Sequence, residues 1–204
     1  MLPVVLRDGR FFIAHWGARD VGRVAIFIDG GYLDYVLRAF GNPKVGFEKL
    51  ATTLASPDEL LRTYYYHCLP YQSPTPTIEE AERFAAKQKF FHALSRLDRF
   101  EVREGKLAFR GLDQNSGKPI FEQKRVDIKL AVDLVLLATK RQITRAILVT
   151  GDSDFLPAVQ AAKNEGVLIH LYHGTGDNQP HRDLWDVADS RTAVTEKLVE
   201  SVRP

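Results

Sequence analysis

Two short apolar runs, residues 24–28 (VAIFI) and 146–149 (AILV), each stop abruptly at a turn carrying glycine and acid. Unbroken runs of branched side chains suit strands buried on both faces of a parallel sheet. Helical spacing follows each run. Leu33, Val36, Leu37 and Phe40 predict a helix over 32–40. Phe155, Val159 and Ala162 predict another over 155–165, with Pro157 in its first turn and Gly166 at its end. The same reading predicts strands at 61–68, 100–103 and 168–172, and helices at 47–55, 78–97, 126–140, 184–189 and 193–202. Residues 106–109 and 119–122 are expected to pair as a hairpin around Asn115-Ser116-Gly117. Residues 1–22 form an N-terminal extension, itself a hairpin candidate turning at Asp8-Gly9, and 23–204 form the main domain. Strands alternating with helices define an α/β fold, a mostly parallel central sheet with helices on both faces.

That architecture gives the acids their interest. Right-handed crossovers bring all parallel strand C-termini to one edge, where ligands of open α/β sheets bind. Asp29 ends the first run, and Asp152 and Asp154 follow the second. Asp127 opens the helix at 126–140, and a helix N-terminus after a strand faces the same edge. Carboxylates held close repel each other unless a proton or cation intervenes, and a hard divalent cation prefers oxygen ligands. Each residue also has a plainer use. Asp154 can cap the helix that follows it, Asp152 can form the turn, and Asp127 can complement a helix dipole. Asp133, four residues after Lys129, is expected in a helix-surface ion pair.

Composition narrows the class. The 204 residues are 45% hydrophobic, which describes a globular domain with a substantial core. One cysteine, Cys68, excludes an internal disulfide and leads us to expect a reducing, cytoplasmic setting. No apolar run reaches the roughly 20 residues that span a bilayer, and no membrane partner is expected. The first twenty residues are broken by Arg7, Asp8 and Arg10 and do not have the pattern of a signal peptide.

The net charge of +2 does not by itself argue for a nucleic-acid partner. Residues 103–125 are different, with Arg103, Lys106, Arg110, Lys118, Lys124 and Arg125 outnumbering Glu104, Asp113 and Glu122 just before Asp127. Lys118, Lys124 and Arg125 are the candidates for phosphate contact, against the plainer reading of a solvated loop. Tyr64, Tyr65 and Tyr66 could stack bases, but alternation along a strand would bury Tyr65 or its neighbours, and core packing is the expected use. His170 and His173 bracket a strand end without zinc-ligand spacing, and Cys68 reads as a core thiol.

Three blocks together carry a family resemblance: VAIFIDGGYL (24–33), KRVDIKLAVD (124–133) and ILVTGDSDFLPAVQAAKNEG (147–166). Their content and order resemble the NYN domain family of PIN-like proteins, including its LabA-like branch, over residues 24–189. The resemblance implies a Rossmann-like PIN fold. It also implies an acid cluster binding Mg²⁺ or Mn²⁺, at Asp29, Asp127, Asp152 and Asp154, as both catalytic and metal-binding residues. Many members are ribonucleases, so the implied function is metal-dependent (endo)ribonuclease activity on RNA. The alternative is a catalytically weak or inactive NYN-fold protein that binds or regulates nucleic acid. A homo-oligomer is compatible with either. Many members read DGxN at the first block, whereas Tyr32 holds the asparagine's place here.

Overall fold

The computed structural model describes residues 4–5, 11–12, 22–112 and 119–204. In chain order the elements are β1 (Val4–Val5), β2 (Phe11–Phe12), β3 (Arg23–Asp29), α1 (Gly30–Arg38), α2 (Phe47–Ala55), β4 (Glu59–Cys68) and α3 (Ile78–Leu94). They continue with β5 (Phe100–Leu112), β6 (Pro119–Lys124), α4 (Val126–Thr139), β7 (Arg145–Val149), α5 (Leu156–Asn164), β8 (Leu168–His173), α6 (Arg182–Val187), β9 (Ser190–Ala193) and α7 (Glu196–Ser201). β1 and β2 pair antiparallel; the turn expected at Asp8-Gly9 lies outside the described residues.

The main sheet runs in the order β6-β5-β4-β3-β7-β8-β9. Six of its strands are parallel, and β6 is antiparallel to β5. Helices cover both faces, because each central strand sends alternate side chains to opposite sides. Ala25, Phe27, Tyr64, Tyr66, Ala146 and Leu148 pack under α4 and α5. Val24, Ile26, Ile28, Tyr65, Ile147 and Val149 pack under α1, α2 and α3. All three consecutive tyrosines are core residues, Tyr64 and Tyr66 on one face and Tyr65 on the other, because helices cover both faces of the sheet.

Four departures from the sequence-based expectation have physical causes. Residues 100–103 and 106–109 are one strand, β5, whose first half pairs parallel with β4 and whose second half pairs antiparallel with β6. Changing partner midway needs no break in the chain, so no punctuation marks it. β9 lies where no strand was expected, between two helical stretches. Its four residues (SRTA) are largely polar and exposed, and its strand form comes from pairing with β8 rather than from any pattern of its own. The helix expected over 193–202 is shortened to α7, with Thr195 capping it. Finally, Asp133 does not pair with Lys129. Its carboxylate accepts from the Tyr66 hydroxyl and from Arg103 Nε, both at 2.9 Å, while Lys129 Nζ donates to the Glu104 carbonyl.

Candidate functional site

The turn after β3 is built by its own acid. Asp29 Oδ1 accepts from Gly31 N at 2.9 Å and Tyr32 N at 3.1 Å, making it the N-cap of α1. Gly30 admits the close approach of β4: a Cβ there would lie 2.5 Å from the Tyr65 ring and 2.6 Å from that of His67. Burial raises the Asp29 carboxyl above its ordinary pKa, and Asp152 adds to the rise, against the lowering from its two backbone bonds and from His67.

The turn after β7 lies beside it, since Ile28 is paired with Val149 in the neighbouring strand. Here the helix signal needs refinement. Asp152, not Asp154, is the cap: its Oδ1 accepts from Asp154 N at 2.9 Å and starts a short 3-10 turn, Ser153–Phe155, ahead of α5. Both carboxylates are exposed. The Thr150 side chain is buried, and its hydroxyl accepts from Asp152 N, so its work is in the turn.

Asp127 reaches this edge by a longer route. Beyond Gly105, β5 runs past the end of β4, and β6 returns antiparallel until Lys124 stands opposite Lys106. Arg125, in the left-handed region at φ 73°, reverses the chain and starts α4, with Asp127 in the first turn. Burial raises the Asp127 carboxyl, followed by the charges of Asp29, Asp152 and Asp154. Asp29, Asp152 and Asp154 thus lie near enough to Asp127 to oppose its ionisation, and Asp152 near enough to Asp29 to oppose that of Asp29. Among the described residues, however, no three His, Cys, Asp or Glu side chains stand close enough together to hold a metal ion. The chemistry of the donors fits a hard divalent cation, which would relieve this repulsion; their spacing requires side-chain movement to close on one.

Of the basic candidates, Lys118 and the side chain of Lys124 lie outside the described residues, and Arg125 is exposed at the base of the β5–β6 arm. Arg103 is taken up by Glu101 and Asp133 and stacks over Tyr64.

Several residues that matter here carried no signal in the sequence. Asp34 of α1 meets His67 Nε2 at 3.1 Å and Lys87 Nζ at 3.4 Å. Burial alone would raise Asp34, but those two partners outweigh it and hold its carboxyl below the usual range. Cys68 N donates to His67 Nδ1, which places the ring proton on Nε2, toward Asp34. Tyr32, in the asparagine's place, spans the edge. Its hydroxyl donates to Asn178 O at 2.8 Å and accepts from Gly174 N at 3.0 Å, tying the turn after β3 to the loop after β8. Its ring lies on Gly151, where a Cβ would come within 2.5 Å of Cε2. Only the departure from DGxN drew attention to Tyr32; a rigid tie across three strand ends is a tertiary property.

The sheet is α/β, and acids from three elements stand at its C-terminal edge. The family description that matches is the NYN domain, over residues 23–194, and the chain belongs to that family. It is similar to the uncharacterised protein y4oD of Sinorhizobium fredii, 44% identical over 50 residues, which is 24% of this chain and 23% of that protein. The match spans about a quarter of the length of that curated relative. The fold is also that of a protein of unknown function from Vibrio parahaemolyticus, known from a crystal structure. The two superpose with a TM-score of 0.61 at 20% identity, over 88% of this chain and 96% of that one.

Proposed function

We propose that this protein is a metal-dependent nuclease that hydrolyses phosphodiester bonds in RNA. The observation that carries the reading is the set of carboxylates on β3, α4 and the β7 turn of an NYN domain, where burial and the nearby acids raise the carboxyls of Asp29 and Asp127. Hydrophobic burial does not ask for acids at these places, and their repulsion costs stability unless a ligand uses it. Asp29, Asp127, Asp152 and Asp154 would hold Mg²⁺ or Mn²⁺. A bound divalent ion supplies two things: a lower pKa for a coordinated water and neutralisation of charge on the phosphoryl oxygens.

The chain's own groups do the rest. Asp29 is fixed by its two backbone bonds and so presents its carboxylate in one orientation. Asp152 and Asp154, exposed on a short turn, can adjust toward the substrate and orient the attacking water. The β5–β6 arm extends past the acidic edge with Lys106 and Lys124 opposite each other, and the sequence between its strands adds Lys118; these cations would offset the repulsion between acids and phosphate.

Labelled RNA incubated with Mn²⁺ or EDTA tests this. Wild type should cut only with metal. Asp152→Asn should lose cleavage by orders of magnitude while keeping its fold and its RNA binding, because size and one acceptor are retained and a charge is not. Equal cleavage by Asp152→Asn would refute the assignment.

A second reading, an NYN protein that binds or regulates nucleic acid with little turnover, draws on two observations. The acids are not drawn together as tightly as metal ligation requires, and Tyr32 is committed to a structural tie where many relatives have asparagine. It becomes the better reading if wild type cuts no nucleic acid with either metal.

A further inference from the structure

Beside the acidic turn, at the end of β8, lies an open pocket of about 670 Å³ that none of the acids lines. That size falls in the range of small-ligand sites. Its walls include Trp185, His173, Gly174, Gln179, Arg182 and Asp186. Trp185 is 39% exposed on a six-residue helix, and its ring is held in place on two sides. The His173 ring meets it at 4.8 Å, near perpendicular, and the Arg191 guanidinium lies 5.3 Å from its centroid. His173 itself is 6% exposed, and its Nδ1 donates to the Gly174 carbonyl at 2.7 Å.

The lining is close to neutral. Arg182 faces Asp186 one helical turn on, at 3.6 Å, so their charges offset each other. A neutral pocket with a fixed aromatic wall and an amide side chain suits a flat heteroaromatic group better than a phosphate. Its place points to the same group. His181 N donates to Gly151 O, joining the pocket's rim to the residue before Asp152. The Tyr32 hydroxyl holds the other side through Gly174 N and Asn178 O. A strand whose backbone crosses the acids can therefore place a neighbouring base here.

We infer that this pocket receives one unpaired nucleobase of the RNA strand, stacked on Trp185. The inference rests on the proposal that RNA is the substrate, and it extends that proposal to single strands, since a base in a duplex cannot leave its stack without cost. The pocket selects the substrate's form and sets which base lies beside the cut.

The test reads binding in EDTA, where cleavage does not intervene. Trp16→Phe leaves Trp185 as the sole tryptophan in the full chain. The probes are an eight-nucleotide oligoribonucleotide of mixed sequence, the same strand annealed to its complement, and AMP and UMP. The single strand should quench Trp185 fluorescence saturably and bind at least ten-fold tighter than the duplex. Mononucleotides should quench only weakly. Trp185→Ala should weaken single-strand binding five-fold or more, judged by anisotropy of a labelled strand, and Trp185→Phe should recover most of the loss. Binding without quenching, with Trp185→Ala within two-fold of wild type, would overturn the pocket. So would mononucleotides binding as tightly as the strand, which would make free nucleotides the occupant, or a strand that does not bind at all. Quenching by RNA in a protein that never cleaves with Mn²⁺ would uphold the pocket and refute the nuclease. Cleavage without quenching would do the reverse.

Discussion

Replacing Gly151 with alanine should break the tie across the sheet edge, and the structure gives the size of the effect. The new Cβ would lie 2.5 Å from Tyr32 Cε2 and 3.0 Å from Cζ. Carbon atoms in contact prefer about 3.5–4.0 Å, so the ring has to withdraw by about 1 Å. It cannot do so freely, because its hydroxyl is bonded to Asn178 O at 2.8 Å and Gly174 N at 3.0 Å. A shift of that size takes both bonds out of range, at about 1 kcal/mol each. Overpacking adds about 1–3 kcal/mol. The expected loss is about 3–5 kcal/mol, or roughly 6–20 °C in Tm for a chain of this length. Gly151 is not among the glycines with positive φ, so backbone strain does not contribute. The assay is urea unfolding of four proteins: wild type, Gly151→Ala, Tyr32→Asn and the double variant. With the ring gone, Gly151→Ala should cost little, giving a coupling of about 2 kcal/mol or more. If Gly151→Ala costs the same in both backgrounds, within about 0.5 kcal/mol, the ring contact is not what requires glycine there.

Other outcomes follow from the same contacts. Millimolar Mn²⁺ should raise the Tm of EDTA-stripped protein, since a cation binding only the folded acids stabilises it by mass action; an unchanged Tm by calorimetry counts against a metal site. Lys118→Ala or Lys124→Ala should weaken RNA binding and flatten its dependence on salt, read from anisotropy across a salt series, with the metal-induced Tm shift unchanged. Asp189 tests pH linkage. Burial would raise its carboxyl, but Lys163 at 2.7 Å and the Ile169 N–H outweigh burial and hold its pKa below the usual value. A lowered folded pKa stabilises above the unfolded value and is lost as pH falls through the folded one. Asp189→Asn should therefore lower the Tm at pH 7, and the gap to wild type should close in acid; a gap independent of pH refutes the linkage.

The class of fold was legible in the chain because its cause is local. Runs such as VAIFI and AILV, short, branched and apolar throughout, suit central strands, and the helices after them show their period directly. The acids at those strand ends were legible for the same reason: parallel topology alone sends Asp29 and Asp152 to one edge. Elements and contacts created by distant partners were not. The polar segment Ser190–Ala193 is a strand only because β8 offers it an edge, and β5 runs unbroken because it exchanges one partner for another. Asp133 lies four residues from Lys129 in sequence, yet Arg103 and Tyr66 from two other strands reach its carboxylate. The same holds for Tyr32 across Gly151, for His67 and Lys87 on Asp34, and for the pocket at Trp185. Periodicity reports which face of an element is buried; which side chains meet there depends on how the layers pack, and only the folded chain decides that.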